Sequence, residues 1–228
     1  MVAVTISREH GALGTEIGRR VAERLGGRYL DRELIEMAFR YIGLPTPTEE
    51  PTPGARREAA SLGRRIVDAI TGPLSWGMAP GLRHVDTGYG EMGESSPIRQ
   101  AAGSDEAYVV LMSQVMERVV EENPNSVLVG RGGQCVLAGK PGVLHVHICA
   151  TLSDRIERVA AAEGLGRQEA AERVRAQDAG RAHYIRHYYG ADWLEPSLYH
   201  LTVSTSGFTV DEAVELILSA AKMIAARA

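Results

Sequence analysis

The chain has 228 residues, 44% of them hydrophobic and 24% charged, with a formal net charge of -4. That suits one domain, or one core with a small inserted subdomain; the acidic balance argues against a nucleic-acid partner, and no apolar run reaches the roughly 18 residues of a membrane span. Two cysteines, Cys135 and Cys149, form neither a disulfide framework nor a metal-ligand spacing, and the opening residues carry no basic segment followed by an apolar stretch; a cytoplasmic setting is expected.

Val2–Ile6 is a short β-branched run suited to a buried strand. A polar, glycine-bearing turn over 7–14 follows. A helix is then expected from about Thr15, with Ile17, Val21 and Leu25 on one face and Gly26-Gly27 as its stop. Arg28-Tyr29-Leu30 reads as a second strand, and Asp31 is placed to cap the next helix. From Pro45 to about Gly103 glycine and proline are frequent, so 44–103 reads as an insertion whose part 71–103 is a long mobile loop.

Regularity returns with a long helix from Ser104. Third and fourth strands are expected at Ser126–Gly130 and Val143–Cys149. Ser153 is expected to cap a helix, and a charged, tyrosine-rich helix runs over Arg167–Tyr189. A fifth strand covers Tyr199–Ser204, and Thr209 with Glu212 forms a capping box for the last helix. Strands alternating with helices imply a five-stranded parallel sheet, helices on both faces. Ligands of such sheets bind at the carboxyl ends of the strands. That places the functional loops at 7–15, around 31, at 130–134, after 149 and at 204–208.

The first of these loops is where a phosphate would meet backbone N–H groups and a helix N-terminus. Against the pattern G-x-x-x-x-G-K-[ST], Arg8, Leu13 and Gly14 stand at the two glycines and the lysine, and Thr15 stands at the Mg²⁺-contacting hydroxyl. The turn could equally be an ordinary strand-to-helix connection. Asp31 could accept a hydrogen bond from an acceptor nucleotide or simply cap its helix, and the two roles are compatible. Arg131 at a strand end suits bidentate phosphate binding. Arg175, Asp178 and Arg181 are three apart on a helix, as solvated ion pairs or as a charge-stabilising cluster. His183 and His187 have metal-binding spacing but no third ligand nearby. His145 and His147 read as packed strand residues, and Tyr184, Tyr188, Tyr189 and Trp193 as packing for a lid or a subunit contact, which leaves an oligomer open.

The stretch Ile6-Ser7-Arg8-Glu9-His10-Gly11-Ala12-Leu13-Gly14-Thr15-Glu16-Ile17 resembles the opening of the cytidylate kinase-like family, whose I-S-R-E-x-G run also lacks the lysine. That family typically has two glycines where this chain has Leu13-Gly14. Arg32, Glu33 and Ile35 fit its second block, and Val129-Gly130-Arg131-Gly132 resembles a G-R-D segment with glycine in place of the aspartate. Arg175, Asp178 and Arg181 resemble an arginine-rich lid, and Tyr199 to Val214 the last strand and helix. The resemblance covers most of the chain except 44–103.

The resemblance implies a P-loop nucleoside monophosphate kinase-like fold. Its core would be 1–43 and 104–228, with a helical lid at about 165–192 and an acceptor-binding insertion at 44–103 holding Arg64 among other arginines. ATP would lie over Arg8, Gly11, Ala12, Leu13, Gly14 and Thr15, with Thr205 near the adenine and Mg²⁺ at Thr15. Asp31, Arg64 and Arg131 would hold a nucleoside monophosphate or similar small acceptor. Arg131, Arg175, Asp178 and Arg181 would serve the transfer. Gly14 for the lysine and Gly132 for the aspartate also leave open a nucleotide-binding regulator without catalysis.

Overall fold

The computed structural model describes residues 1–31 and 105–227. The helix expected after Asp31, the block at Arg32, Glu33 and Ile35, the insertion 44–103 with Arg64, and the residue Ser104 lie outside the described residues.

Five strands form one sheet: β1 (Ala3–Arg8), β2 (Tyr29–Leu30), β3 (Val127–Val129), β4 (Val143–Cys149) and β5 (Leu201–Ser204). The order is β2-β3-β1-β4-β5 and every pairing is parallel. The first strand is therefore central, with Val4 and Ile6 opposite Val127 and Val129 on one side and Leu144 and Val146 on the other. A strand with neighbours on both edges and helices on both faces must be apolar almost throughout. Its two polar interior residues, Thr5 and Ser7, are both hydrogen-bonded.

The described helices are α1 (Gly14–Leu25), α2 (Asp105–Glu122), a short α3 (Gly133–Val136), α4 (Leu152–Glu163), α5 (Arg167–Tyr189) and α6 (Val210–Ala225). One sheet face packs Val4, Ile6, Val146 and Ile148 against Ile17 and Val21 of α1 and Val214 and Ile217 of α6. The other packs Ala3, Leu128 and Val143 with Met112, Met116 and Val119 of α2. Each fully buried side chain of this kind contributes roughly 1.5–3 kcal/mol. A third cluster, Ile156, Val159, Ala170 and Val174, joins α4 to α5. The far end of α5 returns to the sheet through Tyr188. Most of the segment expected as a lid is thus one helix, packed at one end on α4 and at the other on the sheet.

Local expectations hold with small shifts. Gly26 ends α1 in the left-handed conformation, with its N–H on Glu23 O and that of Gly27 on Ala22 O. The Thr209–Glu212 capping box is present. The cap of α4 is Thr151, not Ser153: the Thr151 hydroxyl accepts from Asp154 N–H, and Ser153 lies inside the helix, donating to Glu157. Two candidate caps two residues apart look alike in sequence, and backbone geometry selects the earlier one. The fifth strand starts at Leu201, because Pro196–Leu198 forms a 3₁₀ turn before it. Among the described residues no helix is long and apolar enough to cross a membrane.

Candidate functional site at the carboxyl edge of the sheet

The loop 9–13 is held from one side. Arg155 of α4, almost buried, donates through Nη1 to His10 O (3.3 Å) and pairs with Glu9 (3.3 Å) and Asp178. Arg158, one turn on, donates to Gly11 O (3.4 Å) and to Thr205 Oγ1 and O (both 2.8 Å). Thr205 Oγ1 lies 3.2 Å from Ala12 O. The carbonyls of His10, Gly11 and Ala12 thus face α4 and the end of β5. The N–H groups of Gly11, Leu13, Gly14 and Thr15 have no acceptor among the described residues. This is the condition under which a backbone loop at a helix N-terminus takes an anion.

Two positions make the loop's path possible. Gly11 has φ 80°, and a Cβ there would stand 2.8 Å from Arg155 O. Leu13 takes φ 63° although it is not glycine. A left-handed non-glycine residue at a ligand loop is a position where local strain is tolerated by the surrounding contacts.

A cavity of about 180 Å³ opens beside this loop, lined by Ser7, Arg8, Asp31, Arg131, Gln134, Arg181, Tyr184 and Trp193 among others. It joins the ends of β1, β2 and β3 to the middle of α5. Arg8 Nη2 donates to Asp31 Oδ2 at 3.3 Å. Arg181 Nη1 donates to Asp178 Oδ1 at 3.3 Å. Burial first, and then the charge of Arg8, hold the Arg181 guanidinium down to about 10. Burial likewise lowers Arg8, with Asp31 opposing and Arg131 adding to the shift. Among the described residues three guanidiniums face one lining carboxylate, which makes a positive site with a polar and aromatic wall that an anionic ligand would neutralise.

Arg131 sits in a run of three left-handed residues: Gly130 (φ 79°), Arg131 (φ 56°) and Gly132 (φ 75°). The hydroxyls of Tyr184 and Tyr189 on α5 both donate to Arg131 O, at 3.4 and 3.3 Å. The Gly132 position is also closed to a side chain, because a Cβ there would lie 2.7 Å from Tyr189 Cζ and closer still to Cε2. The ring of Tyr189 takes the space of the aspartate that the resemblance leads one to look for. Gly132→Asp is therefore expected to destabilise, by about 2 kcal/mol or more from overpacking and left-handed strain together. The added mutation Tyr189→Ala should return part of that loss in a denaturant titration of the double variant.

Along α5 the inward stripe is Ala170, Val174, Asp178, Arg181, Ile185 and Tyr188, with apolar residues at both ends. The polar pair stands where the helix crosses the site. Asp178 accepts from His10 N–H (2.8 Å) as well as from Arg155 and Arg181, so the helix is latched to the loop. Arg175, expected beside them, is exposed and outside the cavity lining. Positions i and i+6 diverge by about 120° on a helix, so three-residue spacing turns it away.

Ser7 Oγ accepts from Trp193 Nε1 (2.7 Å) and from Tyr199 (3.3 Å), which ties the cavity floor to the chain before β5. His145 and His147 are buried, as expected, and burial lowers both to about 4. His145 Nε2 faces Leu137 O, an acceptor only, so it carries the proton while Nδ1 accepts from Thr5. Both rings are neutral when folded and protonate near pH 6.5 when unfolded. Their contribution is full above about 6.5 and is lost as pH falls from there toward 4. Urea titrations at pH 7 and pH 5 should show lower stability at pH 5, by on the order of 1–3 kcal/mol. Equal values would contradict the assigned neutrality.

Among the described residues no group of three His, Cys, Asp or Glu side chains could hold a metal, the pair His183 and His187 included. Thr15 is exposed in the first turn of α1. Its hydroxyl is one oxygen donor of the kind Mg²⁺ takes.

No sequence motif marks Arg155 and Arg158, three apart just after β4. Their position at a carboxyl strand end is the signal that points to them.

A family model described as the cytidylate kinase-like family matches residues 3–207. A cytidylate kinase of Methanopyrus kandleri is 28% identical over 154 residues, 61% of this chain and 80% of the relative. The crystal structure of an uncharacterized protein from Eubacterium ventriosum superposes with a TM-score of 0.64 at 16% identity, covering 97% of this chain and 99% of that one.

Proposed function

The chain belongs to the cytidylate kinase-like family, and from that membership we propose that it is a phosphotransferase moving a phosphoryl group from ATP to a nucleoside monophosphate or a similar small acceptor. The observation that carries this reading is the convergence of Arg8, Arg131 and Arg181 on one cavity, next to a loop whose N–H groups have no acceptor among the described residues. Phosphoryl transfer spreads negative charge over the equatorial and bridging oxygens, and catalysis is mainly placement and charge stabilisation.

Each residue then has a role. The N–H groups of Gly11, Leu13, Gly14 and Thr15 cradle donor phosphates. Thr205, next to Arg158, lies on the side assigned to the adenine. Arg131, held in its turn by Tyr184 and Tyr189, binds the acceptor phosphate, and Asp31 orients Arg8 and faces the acceptor. Arg181 stabilises the charge of the group in transit, and Asp178 positions Arg181. Arg175, exposed here, would act only if α5 rotated or closed further on a bound donor. Thr15 would offer its hydroxyl to Mg²⁺, which would supply neutralisation of part of the phosphate charge.

The acceptor is CMP-like in the simplest form of the proposal. Gly132, filled by Tyr189, removes the carboxylate through which a base amino group could be read at that point. A regulator that binds nucleotide without transfer is favoured by one observation, Gly14 in the lysine position. Thermal denaturation with and without Mg-ATP tests the binding step. A ligand at 100 times its Kd should add about 2.7 kcal/mol, and an unshifted Tm would reject both readings.

A further inference from the structure

Gly14 is not simply a lost lysine. Its Cα faces the side chain of Arg8 across the loop: a Cβ at residue 14 would stand 2.9 Å from Arg8 Cγ and closer to Arg8 Cβ. The side chain of residue 8 already fills the space into which residue 14 would project. A Cβ at Gly130 would likewise meet Arg8 Nη1. Arg8 therefore runs from the end of β1, over Gly14, to Gly130 at the end of β3, and Asp31 after β2 takes its Nη2.

We propose that Arg8 and Gly14 are an exchanged pair. The pattern G-x-x-x-x-G-K-[ST] has glycine first and lysine seventh, and this chain has the cation first and glycine seventh. Only one of the two facing positions can carry a long side chain, and either choice delivers one positive charge to the same side of the loop. The exchange also moves the charge: the stem of Arg8 lies over the start of α1 while its head reaches the cavity shared with Arg131 and Arg181. The cation is thereby fixed at the junction of the donor cradle and the acceptor cavity. Asp31 anchors one nitrogen of the fork, which keeps the guanidinium oriented before any ligand arrives. Gly130, left-handed and without a side chain, is the opening through which the head passes.

This inference rests on the nucleotide-binding reading, and the test separates the two. Four variants are compared with the wild type: Arg8→Ala, Arg8→Lys, Gly14→Lys and the double variant Arg8→Gly/Gly14→Lys. Tm, calorimetric ATP affinity and Mg-ATP-dependent transfer are measured for each. Arg8→Ala should keep a wild-type-like Tm, bind ATP about tenfold or more weakly and turn over about 10²-fold or more slowly. Gly14→Lys alone should lower Tm, because two side chains then compete for one space. The double variant should regain Tm and most of the ATP affinity, and Arg8→Lys should bind ATP more tightly than Arg8→Ala. A merely structural Arg8 would not be rescued in ATP affinity by a lysine placed at residue 14. Arg8→Ala with undiminished affinity and rate overturns the exchange while leaving the kinase reading intact, as does a folded double variant that binds ATP as weakly as Arg8→Ala. A wild type that fails to bind ATP overturns both.

Discussion

Arg181→Ala should lower turnover about 10³-fold, the scale on which an arginine aimed at a transferring phosphoryl group acts, while leaving the protein folded. The side chain lines the cavity from the middle of α5 and is only about one-fifth exposed. Arg181 donates to Asp178 Oδ1, and Asp178 keeps His10 N–H and Arg155 when Arg181 is removed. No buried acid is therefore stranded. Burial and the neighbouring charge of Arg8 already depress Arg181, so its removal relieves a repulsion. A near-normal Tm with a strongly reduced kcat is the expected pair of results. Equal loss of Tm and rate would mean that Arg181 serves the fold.

Arg155→Ala should do the reverse and destabilise the protein by about 3–5 kcal/mol, the cost of removing one partner from a buried ion-pair group. Its guanidinium joins Glu9, His10 O, Ala150 O and Asp178, which come from the loop, the end of β4 and α5. Without it two partly buried carboxylates face each other across the loop. A denaturant titration measures the loss. A change below about 1 kcal/mol would indicate that water replaces the guanidinium and that the network resembles a surface pair.

The two arginines show why the sequence revealed some of this architecture and concealed the rest. β-Branched runs such as Val143–Cys149 and the apolar spacing of Ile17 and Val21 fix strands and helices locally, because each must bury one face. The Thr209–Glu212 cap is local in the same way. Those signals sufficed for five parallel strands and for the loops at their carboxyl ends. The partners of Arg155 lie 146 residues upstream at Glu9 and 23 downstream at Asp178, and no periodicity connects them. Asp178 could be placed on its helix but not assigned to His10 N–H. Spacing groups Arg175 with Arg181, yet only Arg181 points inward, as the buried neighbours Val174 and Ile185 decide. The glycine at residue 14, where the phosphate-loop pattern has lysine, and the glycine at residue 132, where the G-R-D segment has aspartate, become intelligible only when Arg8 and Tyr189 are seen occupying the space beside them.

The most direct test of the central claim is a steady-state assay of phosphoryl transfer from Mg-ATP to a panel of nucleoside monophosphates and small phosphorylated acceptors, CMP included. Saturable transfer to at least one of them is expected, with kcat/KM of about 10⁴ M⁻¹s⁻¹ or more, abolished nearly completely in Arg181→Ala. Calorimetric binding of ATP with no transfer to any acceptor would contradict it and leave a nucleotide-binding regulator in its place.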